Sequence, residues 1–175
     1  MNEFLKQANL IKDEIINYRR TIHKNPEVGA ELPKTKAYVM EQLKKMGYEP
    51  KEICESGIVA TLEGNKSGKT FLLRADMDAL PMKENNECDF KAENGCMHSC
   101  GHDMHTAMLL GAAKLLMQNK EQIEGTVKLV FQPDEEGFTG SKKMIQAGVL
   151  ENPKVDAAMA MHVHSGTPSN VILCG

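Results

Sequence analysis

"TAMLLGAAKLLMQ" (residues 106–118) is followed, after seven residues, by "TVKLVF" (126–131). The first stretch reads as an apolar helix and the second as a strand. Ser141 to Ala147 continues as a second helix, stopped by Gly148, and "DAAMAMHV" (156–163) is apolar enough to be a buried strand. Upstream, Ile58 to Leu62 reads as a strand, "GNKSGK" (64–69) as a turn, and "TFLLRA" (70–75) as a further strand, expected to pair with the first as a hairpin. The order strand, helix, strand, helix, strand predicts an α/β fold whose mixed, mostly parallel sheet is flanked by helices. At the start of the chain, Phe4, Ala8, Ile11, Ile15, Tyr18 and Ile22 mark one face of a single helix that ends before Pro26. A second helix is expected from Lys34 to Met46, entered by Pro33 and closed by Gly47. Lys83 to Gly95 reads as a polar surface loop, and Met40, Met46, Met108 and Met117 as core filler.

The bulk numbers are those of a soluble globular chain long enough for one domain with a real core. It has 175 residues, of which 41% are hydrophobic and 26% charged. A net charge of −3 gives no basic field to attract nucleic acid. The opening "MNEFLKQANL" lacks the pattern of a secretory signal, and no apolar run reaches the length of a membrane span. Five cysteines, Cys54, Cys88, Cys96, Cys100 and Cys174, are an odd number with no disulfide spacing. The expectation is a reduced, cytoplasmic protein with no membrane partner, its thiols free or on metal.

Chemistry-bearing residues follow the strands. Asp76-Met77-Asp78 comes after "TFLLRA", Gln132-Pro133-Asp134-Glu135-Glu136 after "TVKLVF", and His162 and His164 after "AAMAM". "HSCGHDMH" (98–105) precedes the 106–118 helix. Ligands of open α/β sheets bind beyond the carboxyl ends of strands, so these segments are expected at one rim. Thiolate, imidazole and carboxylate together suit zinc or a similar borderline cation; manganese, cobalt and nickel also fit. Cys100 and His102, two apart, point the same way in an extended loop. The acids exceed what one structural zinc needs, which allows a second ion. Of Glu135 and Glu136, whose side chains diverge from adjacent positions, one can ligate while the other serves as general base. Simpler readings stand beside these: Glu-Glu pairs are usually solvated, His162 could be a hydrogen-bonded core histidine, and His23 a helix-end cap. A structural zinc on Cys96 and Cys100 competes for the cluster.

"RADMDALPM" (74–82), "HSCGHDMHTAMLLGAA" (98–113), "VKLVFQPDEEGFTGSKKMIQAGVLE" (127–151) and "AMHVHSG" (160–166) resemble, in order, the motifs of the M20 metallopeptidase family. Its amidohydrolase branch (aminoacylases, hippurate hydrolases, auxin-conjugate hydrolases) is the nearest, and "YRRTIHKNPEVGAELPKTKAYV" (18–39) resembles it too. The resemblance implies a zinc-peptidase-like catalytic domain with two divalent metal ions and a small N-acyl amino acid, or a small peptide, as substrate. It implies Cys100, His102, Glu136 and His162 as metal ligands and Glu135 as general base. Asp78 would orient a ligand histidine from behind the metals. Met104 replaces the family's usual glycine, crowding the mouth of the site. The family also carries a lid domain, through which it forms homodimers, and a C-terminal return of the catalytic domain. Neither is recognised in residues 1–175, so the chain is expected to be the N-terminal portion of that domain. The alternative is a catalytically silent fragment or metal-binding module, paired through exposed sheet edges.

Overall fold

The structure, a computed structural model, describes residues 3–168 and 171–174. Its helices are α1 (Glu3–Leu10), α2 (Lys12–His23), α3 (Pro33–Lys45), α4 (His102–Gln118) and α5 (Gly140–Gln146). Its strands are β1 (Lys51–Ile53), β2 (Gly57–Glu63), β3 (Lys66–Asp76), β4 (Glu124–Gln132) and β5 (Ala157–Ala160). They form one mixed sheet in the order β1-β2-β4-β3-β5. β3, β4 and β5 are mutually parallel, while β1 and β2 run antiparallel to their neighbours. The fold class is therefore as the helix–strand alternation predicts.

One sheet face carries the main core. Ile58, Ala60, Leu62, Ala75, Leu129 and Phe131 meet Tyr18 of α2, Val39 and Leu43 of α3, and Leu110 and Ala113 of α4. Each such large side chain contributes about 1.5–3 kcal/mol when fully buried. Tyr48 adds a polar tie, its hydroxyl donating to the Ala113 carbonyl at 2.8 Å. The opposite face has a smaller cluster, in which Leu72 and Val130 pack on Met144 and Val149. Lys128 is buried on this side. Its ammonium donates to the carbonyls of Val149, Glu151 and Pro153 at 3.0, 2.7 and 2.9 Å, tying the segment after α5 to β4. Among the described residues no helix is long and apolar enough to cross a membrane.

Four expectations are corrected. β2 and β3 are not a hairpin: β4 lies between them, pairing Ile58 with Phe131 on one side and Ala75 with Phe131 on the other. Short as the connection is, it crosses the start of β4, where Gly64 donates to the Gly125 carbonyl. A Cβ on Gly64 would lie 2.2 Å from the Ile123 carbonyl oxygen, so only glycine permits the crossing. The first helix is two helices, broken at Ile11, and none of the residues of α1 is buried. The 156–163 strand is neither that long nor buried: β5 holds four residues, all exposed, because only β3 flanks it. His23 does stand in the last turn of α2, but as a buried and paired side chain and not as a simple cap, as described below.

Candidate metal centre

Because β3, β4 and β5 are parallel, their carboxyl ends open onto one rim. Asp76 is paired with Gln132, and Arg74 with Ala160. The segments that leave these strands carry Asp78, Glu135 and Glu136, and His162. The amino end of α4 is directed to the same place. Cys100 and His102 do not converge through an extended loop, as expected, but through the left-handed Gly101 (φ 92°, ψ 18°) that begins the helix. A Cβ on Gly101 would sit 2.4 Å from Val163 Cγ2 and 3.2 Å from Met104 Cε, so glycine is needed twice over, for the angle and for the space.

His102 is the hub. Donor atoms of Cys100, His102 and His162 lie within 4.8 Å of one another; so do those of Asp76, His102 and His105, and those of His102, Glu135 and Glu136. Cys100 Sγ is 3.4 Å from His162 Nε2. His102 Nε2 faces Asp76 Oδ2 at 3.7 Å, Glu135 Oε2 at 3.7 Å and Glu136 Oε1 at 3.8 Å. Glu135 and Glu136 do not diverge as expected, since they lie in a turn and not in an extended segment, and both carboxylates reach His102. Asp78 stands behind the hub. Its Oδ1 is 3.5 Å from His102 Nδ1, and its two oxygens accept the backbone N–H groups of Glu135 and Glu136 at 3.0 and 3.1 Å. It therefore shapes the Glu-Glu turn as well as facing a histidine. His162 lies beyond the end of β5 and is exposed, which removes the core-histidine alternative.

The donor set fits a divalent cation. His102 is fully buried, yet neither ring nitrogen has a hydrogen-bond partner, and Glu136 Oε1 is buried without one. Burial and the carboxylates of Glu136, Glu135 and Asp76 push the Cys100 thiol up to about 11. Burial opposes charge on His102, but Asp78 and Asp76 outweigh it and hold its pKa above the usual histidine value. Such a crowd of acceptors around orphaned nitrogens is the electrostatic complement of a bound cation. Cys96 belongs to none of these groups among the described residues, which disfavours the Cys96–Cys100 zinc. All five cysteines are free.

Behind the rim lies a second buried network. His23 Nδ1 is 2.7 Å from Asp103 Oδ2 and its Nε2 is 3.0 Å from Glu84 Oε1. Arg19 Nε donates to Asp103 Oδ2 at 2.7 Å, and Glu84 Oε2 accepts the Ala92 N–H at 2.7 Å. Asp103 is thus locked in the first turn of α4, next to His102. His98 is 4% exposed, and burial drops its pKa to about 4. Glu84 sits inside the stretch read as a polar surface loop, and no periodicity links it to His23.

Residues 72–174 match the family model described as Peptidase family M20/M25/M40. Thermostable carboxypeptidase 2 of Saccharolobus solfataricus is 48% identical over 166 residues, covering 92% of this chain and 42% of that protein. The N-acyl-L-amino acid amidohydrolase of Geobacillus stearothermophilus is 39% identical over 166 residues, covering 93% and 44%. The crystal structure of the Bacillus subtilis YxeP protein, a dinuclear metal-binding peptidase, superposes with a TM-score of 0.87 at 35% identity, covering 91% of this chain and 45% of that one. The chain thus spans less than half the length of these relatives.

Proposed function

Since the chain belongs to peptidase family M20/M25/M40, we propose that it forms the N-terminal portion of the catalytic domain of a metal-dependent amidohydrolase cleaving N-acyl amino acids. The observation that carries this function is the convergence of Cys100, His102, Glu136 and His162 on one rim, with Glu135 beside them. Its substrate class is drawn from the amidohydrolase among its relatives. Two divalent cations, when bound, would supply Lewis acidity toward the scissile carbonyl. Cys100, His102, Glu136 and His162 would hold them. Asp78 keeps the turn that aims both glutamates. Glu135, the more exposed of the pair at 35% against 25%, accepts the proton of the attacking water and passes it to the leaving nitrogen. Water and amide are thereby converted to a carboxylic acid and a free amino acid.

Elemental analysis of the purified chain after loading with manganese, zinc, cobalt or nickel is expected to give about two ions per chain. Glu135→Gln should keep that metal content while hydrolysis of N-acetyl amino acids falls about 10²–10⁴-fold. Undiminished turnover in the variant would end the assignment of the base. A second reading is a metal-binding module without hydrolysis, since the donor groups that share His102 suit a cation whether or not hydrolysis follows. Metal uptake by wild-type chain without any amide cleavage would select it.

A further inference from the structure

We infer that His105, to which the proposed centre gives no task, is the positioning residue that sets His162 against Cys100, and that it is not itself a ligand. This rests on the metal-centre reading above, but its geometry is independent of it. His105 lies in the second turn of α4 and is 2% exposed. Its Nδ1 is 2.6 Å from Asp76 Oδ1. Asp76 is itself fixed, its other oxygen 2.7 Å from Arg74 Nη1 and its carbonyl accepting the Thr106 hydroxyl at 2.8 Å. A carboxylate so paired with a cation only accepts, so Nδ1 of His105 carries the proton. Nε2 is then a lone pair, and it accepts the backbone N–H of Val163 at 2.9 Å.

Both nitrogens are therefore spent. The proximity of His105 to Asp76 and His102 makes it look like a ligand, but no lone pair remains for a cation. What it holds instead is the residue after His162. The Val163 carbonyl accepts from His162 Nδ1 at 2.6 Å, so in the neutral ring it is Nε2 that keeps the lone pair, and this nitrogen faces Cys100 Sγ at 3.4 Å. The two imidazoles also pack edge-on, their centroids 4.6 Å apart at 64°. A continuous line of contacts thus runs from Arg74 through Asp76 and His105 to Val163, and it fixes both the place and the tautomer of His162. The need is plain: His162 follows an exposed strand whose ladder with β3 spans Phe71–Arg74.

Three measurements on the chain test this. With EDTA present, long-range 1H–15N NMR is expected to show His105 protonated at Nδ1 only; protonation at Nε2 overturns the proposal. In His105→Ala, the Val163 amide is expected to exchange faster with solvent; an unchanged rate overturns it. Titration with cobalt alone, followed by the thiolate-to-metal absorption band, is expected to show affinity falling about 10–100-fold in His105→Ala. His105→Gln, which keeps an acceptor near the ε position, should recover most of the loss. If Gln binds cobalt no better than Ala, or if zinc loading shifts the His105 Nε2 resonance as direct coordination would, His105 is a ligand and the proposal falls. Absence of amide hydrolysis, or of metal uptake by the wild-type chain, would defeat the proposed function but leave the tautomer and exchange results to decide this one.

Discussion

His23 shows how much of the site depends on one residue. Its hydrogen bond to Asp103 raises its pKa, burial opposes this, and Glu84 supports it. Asp103 and Glu84 are raised by burial, but their hydrogen bonds outweigh that and leave both below the ordinary carboxylate value. The stability His23 supplies is therefore complete below its unfolded pKa and is lost as pH rises through the higher folded value. That of the two acids is present above their unfolded pKa values and is lost as pH falls through the folded ones. Comparing urea unfolding of wild type and His23→Gln in EDTA, the deficit is expected to peak at about 3 kcal/mol near roughly pH 5–6 and to shrink on either side. A deficit independent of pH would remove the charged imidazole from the explanation. The ligand candidates were legible in the sequence because thiol, imidazole and carboxylate side chains carry their chemistry wherever they stand. His23, Glu84 and Asp103 were not, because 61 and 80 residues of chain separate the partners and nothing local marks the pairing.

At the scale of elements, α3 and α5 fall within a residue or so of their expected limits because Pro33, Gly47 and Gly148 punctuate them. α4 begins four residues earlier than the apolar run from Thr106 indicates. Its first turn is polar, and so escapes a search for hydrophobic residues, although Asp103 there is an ordinary partner for a helix amino terminus. That early start is what delivers His102 and His105, and it depends on Gly101. Gly101→Ala puts an L-residue in a left-handed conformation, costing about 1–2 kcal/mol, and drives a methyl group into Val163. Urea midpoints are expected to fall accordingly, and cobalt affinity to drop because Val163 moves together with His162. An alanine variant that is destabilised yet binds cobalt as wild type does would show that the rim tolerates the displacement.

For the whole molecule, the alternation of elements was enough to read an α/β sheet with its chemistry at one end. The strand order was not, because neighbours in sequence suggest a hairpin whereas β4 is inserted between β2 and β3, its Glu124 lying 58 residues beyond Lys66 at the start of β3. The proposed donors come from three separate segments, so a cation that binds them favours the folded chain alone. At a metal concentration a hundredfold above Kd this amounts to about 2.7 kcal/mol, or a rise in unfolding midpoint of roughly 5–10 °C. Scanning calorimetry with and without EDTA measures it, and His162→Ala should abolish most of the increase. The junction of β3 with β5 also sets a timetable. Thr70 donates its N–H to the Asp156 carboxylate across 86 residues, and β5 cannot dock until that span has been made. On the ribosome, Cys100 and His102 leave the exit tunnel well before His162. The nascent chain therefore carries the Cys100 thiol without its His162 neighbour while the next 62 residues are added, and the proposed cation cage closes only once β5 has docked.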